Sequence, residues 1–83
     1  MIKKCESTLS VKEALKMAWY EDVRVTIGSV IETEDGCHIH GKNEEIKGRA
    51  GQLLRGKTPY DDYPVLAFHA HFDHTLYITY CEN

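Results

Sequence analysis

The sequence predicts a single small α+β domain over residues 1–83, in which an antiparallel sheet carries one or two short helices on one face. At 83 residues the chain has room for one hydrophobic core and for no second domain. Its 42% hydrophobic and 28% charged residues are typical of a chain that folds. Apolar residues first follow a helical period and later alternate with polar residues, which predicts the element order α-β-β-α-β-β.

A capping box predicts the N-terminal helix. Ser10 and Glu13 have the S-x-x-E spacing in which each side chain accepts a hydrogen bond from an unpaired amide of the first turn. The apolar residues that follow recur on one stripe of the helix, namely Val11, Ala14, Leu15, Ala18 and Trp19. We therefore expect Trp19 to be a core anchor.

A hairpin is predicted to follow this helix. Residues 22–27 alternate valine and isoleucine with polar residues, which is the period of a half-buried strand. Gly28 interrupts that period and predicts a bulge. The dipeptide Asp35-Gly36 is a turn signal that leads the chain back through residues 37–40.

A short helix and two more strands are predicted in the second half of the chain. The helix lies within residues 46–56 and ends at Gly56, and a loop over residues 57–64 follows it. The strands are Val65–His71 and Leu76–Cys81. In the first of them the alternation predicts a core face made of Leu66, Phe68, Ala70 and Phe72.

The charge distribution is uneven along the chain. Thirteen acidic and ten basic residues give a net charge of −3, which disfavours nucleic acid as a partner. Half of the basic residues nevertheless lie in residues 42–57. They are interpreted either as a solvated helix face or as an anionic-ligand patch of Lys47, Arg49 and Arg55, and a small nucleic-acid-binding module is a further alternative.

Cysteine content and hydropathy bear on the compartment and the partners. The three cysteines have no C-x-x-C spacing and predict no disulfide framework. No apolar run approaches the ~20 residues of a membrane span, so we expect a cytoplasmic protein without a membrane partner. A chain this short buries only roughly 60–65% of its unfolded surface, and we expect it to gain stability as a homodimer.

The five histidines fall in two predicted strand segments. Alternation turns His38, His40, His69 and His71 outward, onto the side of the sheet that the helices leave open. Three interpretations stay open for that side. The histidines are solvated residues that a dimer contact covers in part, or they bind zinc or another transition metal as two H-x-H pairs, or they form a ligand surface with Tyr77.

Residues 69–74 match the H-x-H-x-D-H motif of metallo-β-lactamase-type hydrolases letter for letter. In that family the motif opens a helix, and further metal ligands follow downstream. Here the residues after His74 are β-branched and aromatic, which predicts a strand, and only nine of them follow in this sequence. We therefore expect the match to be coincidental, the protein not to be an enzyme, and no cofactor to be required.

The layout of the whole chain resembles that of small proteins carried by phages and mobile elements of Gram-positive bacteria. The resemblance spans most of residues 8–80, and the chain departs from it in a longer segment over Ser29–Asn43 and in its histidines. The segments that carry the resemblance are Ser10–Leu15, Val23–Ile27, Lys47–Leu54, Tyr63–Val65 and Leu76–Ile78.

The resemblance, the small size and the lack of catalytic motifs lead to one functional hypothesis. The protein is expected to be a phage-encoded, non-enzymatic binding protein that inhibits or sequesters a component of a host defence system. Its partner would be a host protein or a small ligand in the host cytoplasm. The expected binding surface consists of His38, His40, His69, His71 and Tyr77.

Overall fold

Among the residues that the structure describes, two helices pack on one sheet of five strands. The computed structural model describes residues 9–71 and 73–82. The helices are α1 (Val11–Lys16) and α2 (Ala50–Gly56). The strands are β1 (Arg24–Glu32), β2 (His38–His40), β3 (Ile46–Arg49), β4 (Val65–Ala70) and β5 (Thr75–Cys81). The small α+β class predicted from the sequence is confirmed.

Helix α1 begins at the predicted capping box. The Ser10 hydroxyl accepts a hydrogen bond from the Glu13 amide at 3.2 Å, and the Ser10 amide donates to the Glu13 carboxylate at 3.2 Å. The helix ends at Lys16, and its Val11 side is fully buried. Because the helix ends before Trp19, that side chain no longer lies on the apolar side of the helix and is 48% exposed. The prediction of Trp19 as a core anchor is wrong.

The first hairpin forms, but the interruption is not at Gly28. Strand β1 is regular there, and Gly28 pairs in register with Thr79 of β5. The second strand of the hairpin is divided into two pieces instead. Strand β2 pairs with the end of β1, and β3 pairs with the beginning of β1. Residues 41–45, which we call the excursion, separate the two pieces. The element order is therefore α-β-β-β-α-β-β, and α2 begins only at Ala50 although it ends at Gly56 as predicted.

The sheet is mixed, and the prediction of an antiparallel sheet is wrong. The strand order is β2-β1-β5-β4, with β3 on the same side of β1 as β2. Strand β5 runs parallel to β1, whereas the other neighbouring pairs are antiparallel. The reason is topological. Helix α2 and the loop after it carry the chain to the far edge, so that β4 forms there and β5 returns into the gap beside β1.

Both helices pack on one face of the sheet and bury its core there. The buried core residues are Val11, Ala14, Leu15, Val23, Val25, Ile27, Ala50, Val65, Leu76, Ile78 and Tyr80. In the described part of the chain no helix lies on the opposite face, which we call the open face. It carries the side chains that alternate with the core set, beginning with Arg24 and Thr26 on β1.

Strand β4 contributes less to the core than its sequence predicts. A register shift between Val65 and Ala67 turns Val65 inward and leaves Leu66 41% exposed. Phe68 lies opposite the buried Ile78 but is 37% exposed, because it sits at the sheet edge. The predicted face is therefore confirmed for Phe68 and Ala70, which lie opposite the buried Ile78 and Leu76, but neither residue is buried as a core residue would be. The prediction of Leu66 as a core residue is wrong, and the fourth predicted member, Phe72, lies outside the described residues.

The two described cysteines are in different states. Cys37 is free and exposed, whereas Cys81 is buried and disulfide-bonded, a bond that the cysteine spacing did not predict. Neither α1 nor α2, the helices of the described residues, has the length and apolar character needed to cross a membrane.

Candidate functional site on the open face

Strand pairing determines which side chains are neighbours on the open face. On β2, His38 lies opposite Glu32 and His40 opposite Val30. On the other side of the sheet, His69 of β4 lies opposite Tyr77 of β5. Both histidine pairs therefore face the side that the helices leave open, but they do so on different strands.

The structure does not bring the four sequence-predicted histidines together. His38 and His40 lie on β2 at one edge of the sheet, while His69 lies on β4 at the other edge and His71 follows it. Strands β1 and β5 separate those edges, which corresponds to three interstrand steps or roughly 14 Å. Imidazole nitrogens that share a zinc ion lie ~2 Å from it. The two pairs therefore do not share one ion, and the described residues contain no group of three or more potential metal ligands.

One histidine pair instead forms an aromatic cluster with Tyr77. The His69 ring stacks on the Tyr77 ring, with centroids 5.5 Å apart and an interplanar angle of 15°. The His71 ring meets Tyr77 edge-on at 5.6 Å and 67°. These contacts hold the tyrosine ring in place at the centre of the β5 surface.

The H-x-H-x-D-H segment begins within β4, and its described residues His71, Asp73 and His74 lie between β4 and β5. The Asp73 carboxylate accepts a hydrogen bond from the Thr75 amide at 3.0 Å, and the His71 amide donates to the Thr75 carbonyl at 2.8 Å. The first of these bonds is the main reason that the pKa of Asp73 lies below its ordinary value, and the nearby Arg24 guanidinium lowers it further. The residues after the turn form strand β5, as the sequence predicts, whereas the hydrolase family has a helix there.

A groove with three cations lies beside this cluster on the open face. Arg24 of β1 lies directly opposite Arg49 of β3, and Lys47 lies opposite the next open-face residue of β1, Thr26. Together with Tyr77 these cations line a groove of about 460 Å³, which we call the cationic groove. Its remaining walls include Thr26, Gln52 and Thr75.

Arg55, the third member of the predicted anionic-ligand patch, lies elsewhere. It belongs to α2, and its guanidinium is 3.6 Å from the Glu21 carboxylate. The structure therefore brings Lys47 and Arg49 together with Arg24 rather than with Arg55. Sequence reasoning missed Arg24 because alternation identifies it only as an outward residue of a strand, and the pairing of β1 with β3 was not visible.

The cations of the groove have few acidic neighbours. The Lys47 ammonium lies 3.6 Å from the Glu45 carboxylate, in an exposed pair of the kind that contributes little to stability. Arg24 is close enough to Asp73 to influence its pKa. The Arg49 guanidinium donates to the backbone carbonyl of Asp22 at 2.8 Å, which orients it without neutralising it.

A second groove adjoins the first and is lined by aromatic side chains. It holds about 310 Å³, and Trp19, Tyr20 and His74 line it. Arg24 and Arg49 are walls of both grooves. We call this second depression the aromatic groove. Trp19 is 48% and Tyr20 is 67% exposed, so both rings are accessible.

Comparison of the chain with family models, with curated proteins and with solved structures finds no match. The layout resemblance to phage and mobile-element proteins therefore stays a prediction. What the site can do follows from its own residues, which are three cations, two accessible aromatic rings at one end and a clamped tyrosine at the other.

Proposed function

We propose that the protein is a non-enzymatic binding protein that takes an anionic ligand in the cationic groove of its open face. The observation that carries the proposal is the cross-strand pair of Arg24 and Arg49, with Lys47 beside it. Like charges directly opposite each other destabilise a sheet by roughly 0.2–1 kcal/mol. An anion held between the two guanidinium groups removes that cost and gains charge-assisted hydrogen bonds.

The size and the setting of the groove support a ligand site rather than a general polyanion surface. A volume of about 460 Å³ falls within the range of small-ligand pockets, roughly 300–1,000 Å³. The net charge of −3 leaves the rest of the surface negative on balance, so attraction to anionic groups is strongest at the groove.

A binding role also agrees with the shallowness of the site. The groove lies on the bare side of a sheet in a chain of 83 residues, where water has access, whereas catalytic sites gain from excluding water. Sequestration of a ligand needs only affinity. Three expectations stay predictions: the phage origin, the host defence component as target, and the cytoplasmic location. The homodimer also stays a prediction, and sedimentation velocity would test it by measuring the mass of the protein in solution.

The test is titration of the full chain with inorganic tripolyphosphate at low salt, followed by calorimetry. We expect binding that weakens as ionic strength rises. Arg24→Gln and Arg49→Gln should each weaken it by about tenfold or more, because a hydrogen bond to a charged group contributes ~1.5–3 kcal/mol. Arg55→Gln is the matched control, since Arg55 is an exposed arginine outside the groove.

A thermal melt gives the same test a second readout. Without ligand, Arg24→Gln should melt slightly above the wild type, because the like-charge pair is gone while the hydrogen bond from Arg49 to the Asp22 carbonyl is kept. With tripolyphosphate, the wild type should be stabilised more than the variant. Absence of tripolyphosphate binding, or an equal loss of affinity in Arg55→Gln, would contradict the proposed function.

A further inference from the structure

The cationic groove and the aromatic groove adjoin each other and share two walls. Arg24 and Arg49 line both grooves, so the cations stand between two sets of aromatic rings. Of the two grooves, Tyr77 lines only the cationic groove, whereas Trp19 and Tyr20 line only the aromatic groove. The cations shared by the two grooves therefore lie between aromatic rings, and Asp22 is the acidic residue among those that line the aromatic groove.

The tyrosine is held as a platform. His69 packs on Tyr77 from the β4 side at 5.5 Å, while the cationic groove lies on the β1 side of the same residue. The edge-on contact with His71 further restricts the ring. A ring that is already fixed loses little conformational entropy when a planar group stacks on it.

Single-stranded nucleic acid has the chemistry that matches this arrangement. Proteins that bind single strands combine cations that follow the phosphates with aromatic rings on which successive bases stack. A duplex does not offer free base faces, and the net charge of −3 disfavours binding through phosphates alone. A free mononucleotide has one base and would use one of the two aromatic sets.

We infer that the anionic ligand is single-stranded nucleic acid, with one base on Tyr77, another on Trp19, and the intervening phosphates on Arg24 and Arg49. This inference rests on the proposed anion-binding function and goes further, because it names the ligand class and assigns the aromatic groove. It also places Trp19, the chain's one tryptophan, where its fluorescence reports on binding.

The experiment measures the anisotropy of fluorescein-labelled dT12 and rU12 with the full chain at 50 mM salt. The comparison ligands are an abasic 12-mer, a dT12·dA12 duplex, thymidine monophosphate and a glutamate 12-mer peptide. We expect dT12 or rU12 to bind at least about tenfold more tightly than each of these. Unlabelled dT12 should also quench the fluorescence of Trp19.

Variants separate stacking from charge. Trp19→Ala should weaken dT12 binding by about tenfold while leaving tripolyphosphate affinity within about twofold of the wild type, because Trp19 lines the aromatic groove and not the cationic groove. Tyr77→Ala should also weaken dT12 binding by about tenfold. Phe68→Ala is the matched control, because Phe68 is an exposed aromatic residue that lines neither groove. Trp19 is the more exposed of the two test residues, so its variant keeps the fold if Tyr77→Ala does not, and circular dichroism checks both.

The possible failures are distinguishable. If the abasic 12-mer binds as tightly as dT12 and Trp19 fluorescence is unchanged, the single-strand inference is overturned while the anion site stands. Equal affinity for thymidine monophosphate, for the duplex or for the acidic peptide overturns it in the same way. Failure of both dT12 and tripolyphosphate to bind overturns the proposed function as well.

Discussion

Gly41 occupies a position where the backbone of the excursion touches β1. Its amide donates to the Ser29 carbonyl at 3.0 Å. A Cβ atom at this position would clash with the Ser29 hydroxyl and lie 2.8 Å from the Ser29 carbonyl carbon. At Gly28, by contrast, an added Cβ would meet only the Glu45 carboxylate at 3.7 Å, an ordinary contact. Only the first of these glycines is required by packing.

Alanine substitutions at these two glycines should therefore differ. We expect Gly41→Ala to lower the free energy of unfolding by about 1–3 kcal/mol, the usual cost of overpacking. Gly28→Ala should be neutral or stabilise the protein by ~0.5 kcal/mol, because alanine restricts the unfolded chain more than glycine does. Urea denaturation measures both. Equal effects of the two substitutions would mean that the excursion moves away from Ser29 at little cost.

Single residues also mark the limit of what the sequence predicts. Gly56 correctly predicts where α2 ends, but the residue with positive φ is its neighbour Lys57, at 58°. His74 takes the same region in the β4–β5 turn, at 67°. A glycine indicates that the chain turns, whereas the residue that adopts the unusual backbone angle depends on the path of the next segment.

At the scale of elements, the excursion decides which side chains line the cationic groove. In an uninterrupted hairpin that follows the β2 pairing, Ile27 would lie opposite residue 43, whereas it lies opposite Ile46. Compared with that uninterrupted register, the excursion therefore adds three residues to the returning side of the hairpin. Because strand side chains alternate, an odd shift reverses the two faces of β3 and turns Lys47 and Arg49 to the open face. Nothing in the local pattern of residues 46–49 predicts this register.

The excursion is held in place by the carboxylate of Glu82, the residue that follows β5. One oxygen of Glu82 accepts hydrogen bonds from the Asn43 amide at 2.6 Å and from the Ser29 hydroxyl at 2.8 Å. The Asn43 side chain donates to the buried Tyr80 hydroxyl at 3.0 Å. The Asn43 amide is the main reason that the pKa of Glu82 lies below its ordinary value of 4.5.

This depressed pKa has a predictable effect on stability. A carboxylate whose pKa is lower in the folded state stabilises the fold above its unfolded pKa, and that contribution is lost as the pH falls through the folded value. We expect wild-type stability to fall below about pH 4.5. In Glu82→Gln this part of the pH dependence should be absent, and stability at pH 7 should be lower. Urea denaturation between pH 7 and pH 3 measures both effects.

Glu44→Gln is the control for this prediction. Glu44 is an exposed carboxylate of the same excursion and makes no hydrogen bond among the described residues. Its substitution should leave the pH dependence of the wild type in place. If Glu82→Gln and the wild type lose stability in parallel on acidification, Glu82 does not hold the excursion through its charge.

The arrangement of the whole molecule followed only in part from the sequence. Local patterns predicted the capping box, β1, the turn after it, the end of α2 and strand β5. They also predicted that Tyr77 and the histidines lie on the open face, because the alternation of side chains along a strand is a local property. They did not predict that β5 lies beside β1, since strand order depends on packing across the whole chain. That order separates the histidine pairs and places Tyr77 beside Arg24 and Lys47.

The disulfide at Cys81 is the other feature of the whole molecule that the cysteine spacing did not reveal. Cys81 lies in the strand that joins the two halves of the sheet, between β1 and β4. Disulfides persist in oxidising compartments, whereas cytosolic thiols are kept reduced. The predicted cytoplasmic location therefore requires that the chain also folds with Cys81 reduced.

Reduction should measure how much the fold depends on this bond. We expect a reducing agent to lower the free energy of unfolding by about 2–4 kcal/mol, because the intact bond restricts the unfolded chain. Cys81→Ala should cause a similar loss and abolish the response to reductant, whereas Cys37→Ser should behave as the wild type, since Cys37 is free and exposed. Urea denaturation with and without reductant gives these values. A midpoint that does not change on reduction would show that the bond contributes little, and the reduced protein would then be as stable in a cytoplasm as outside it.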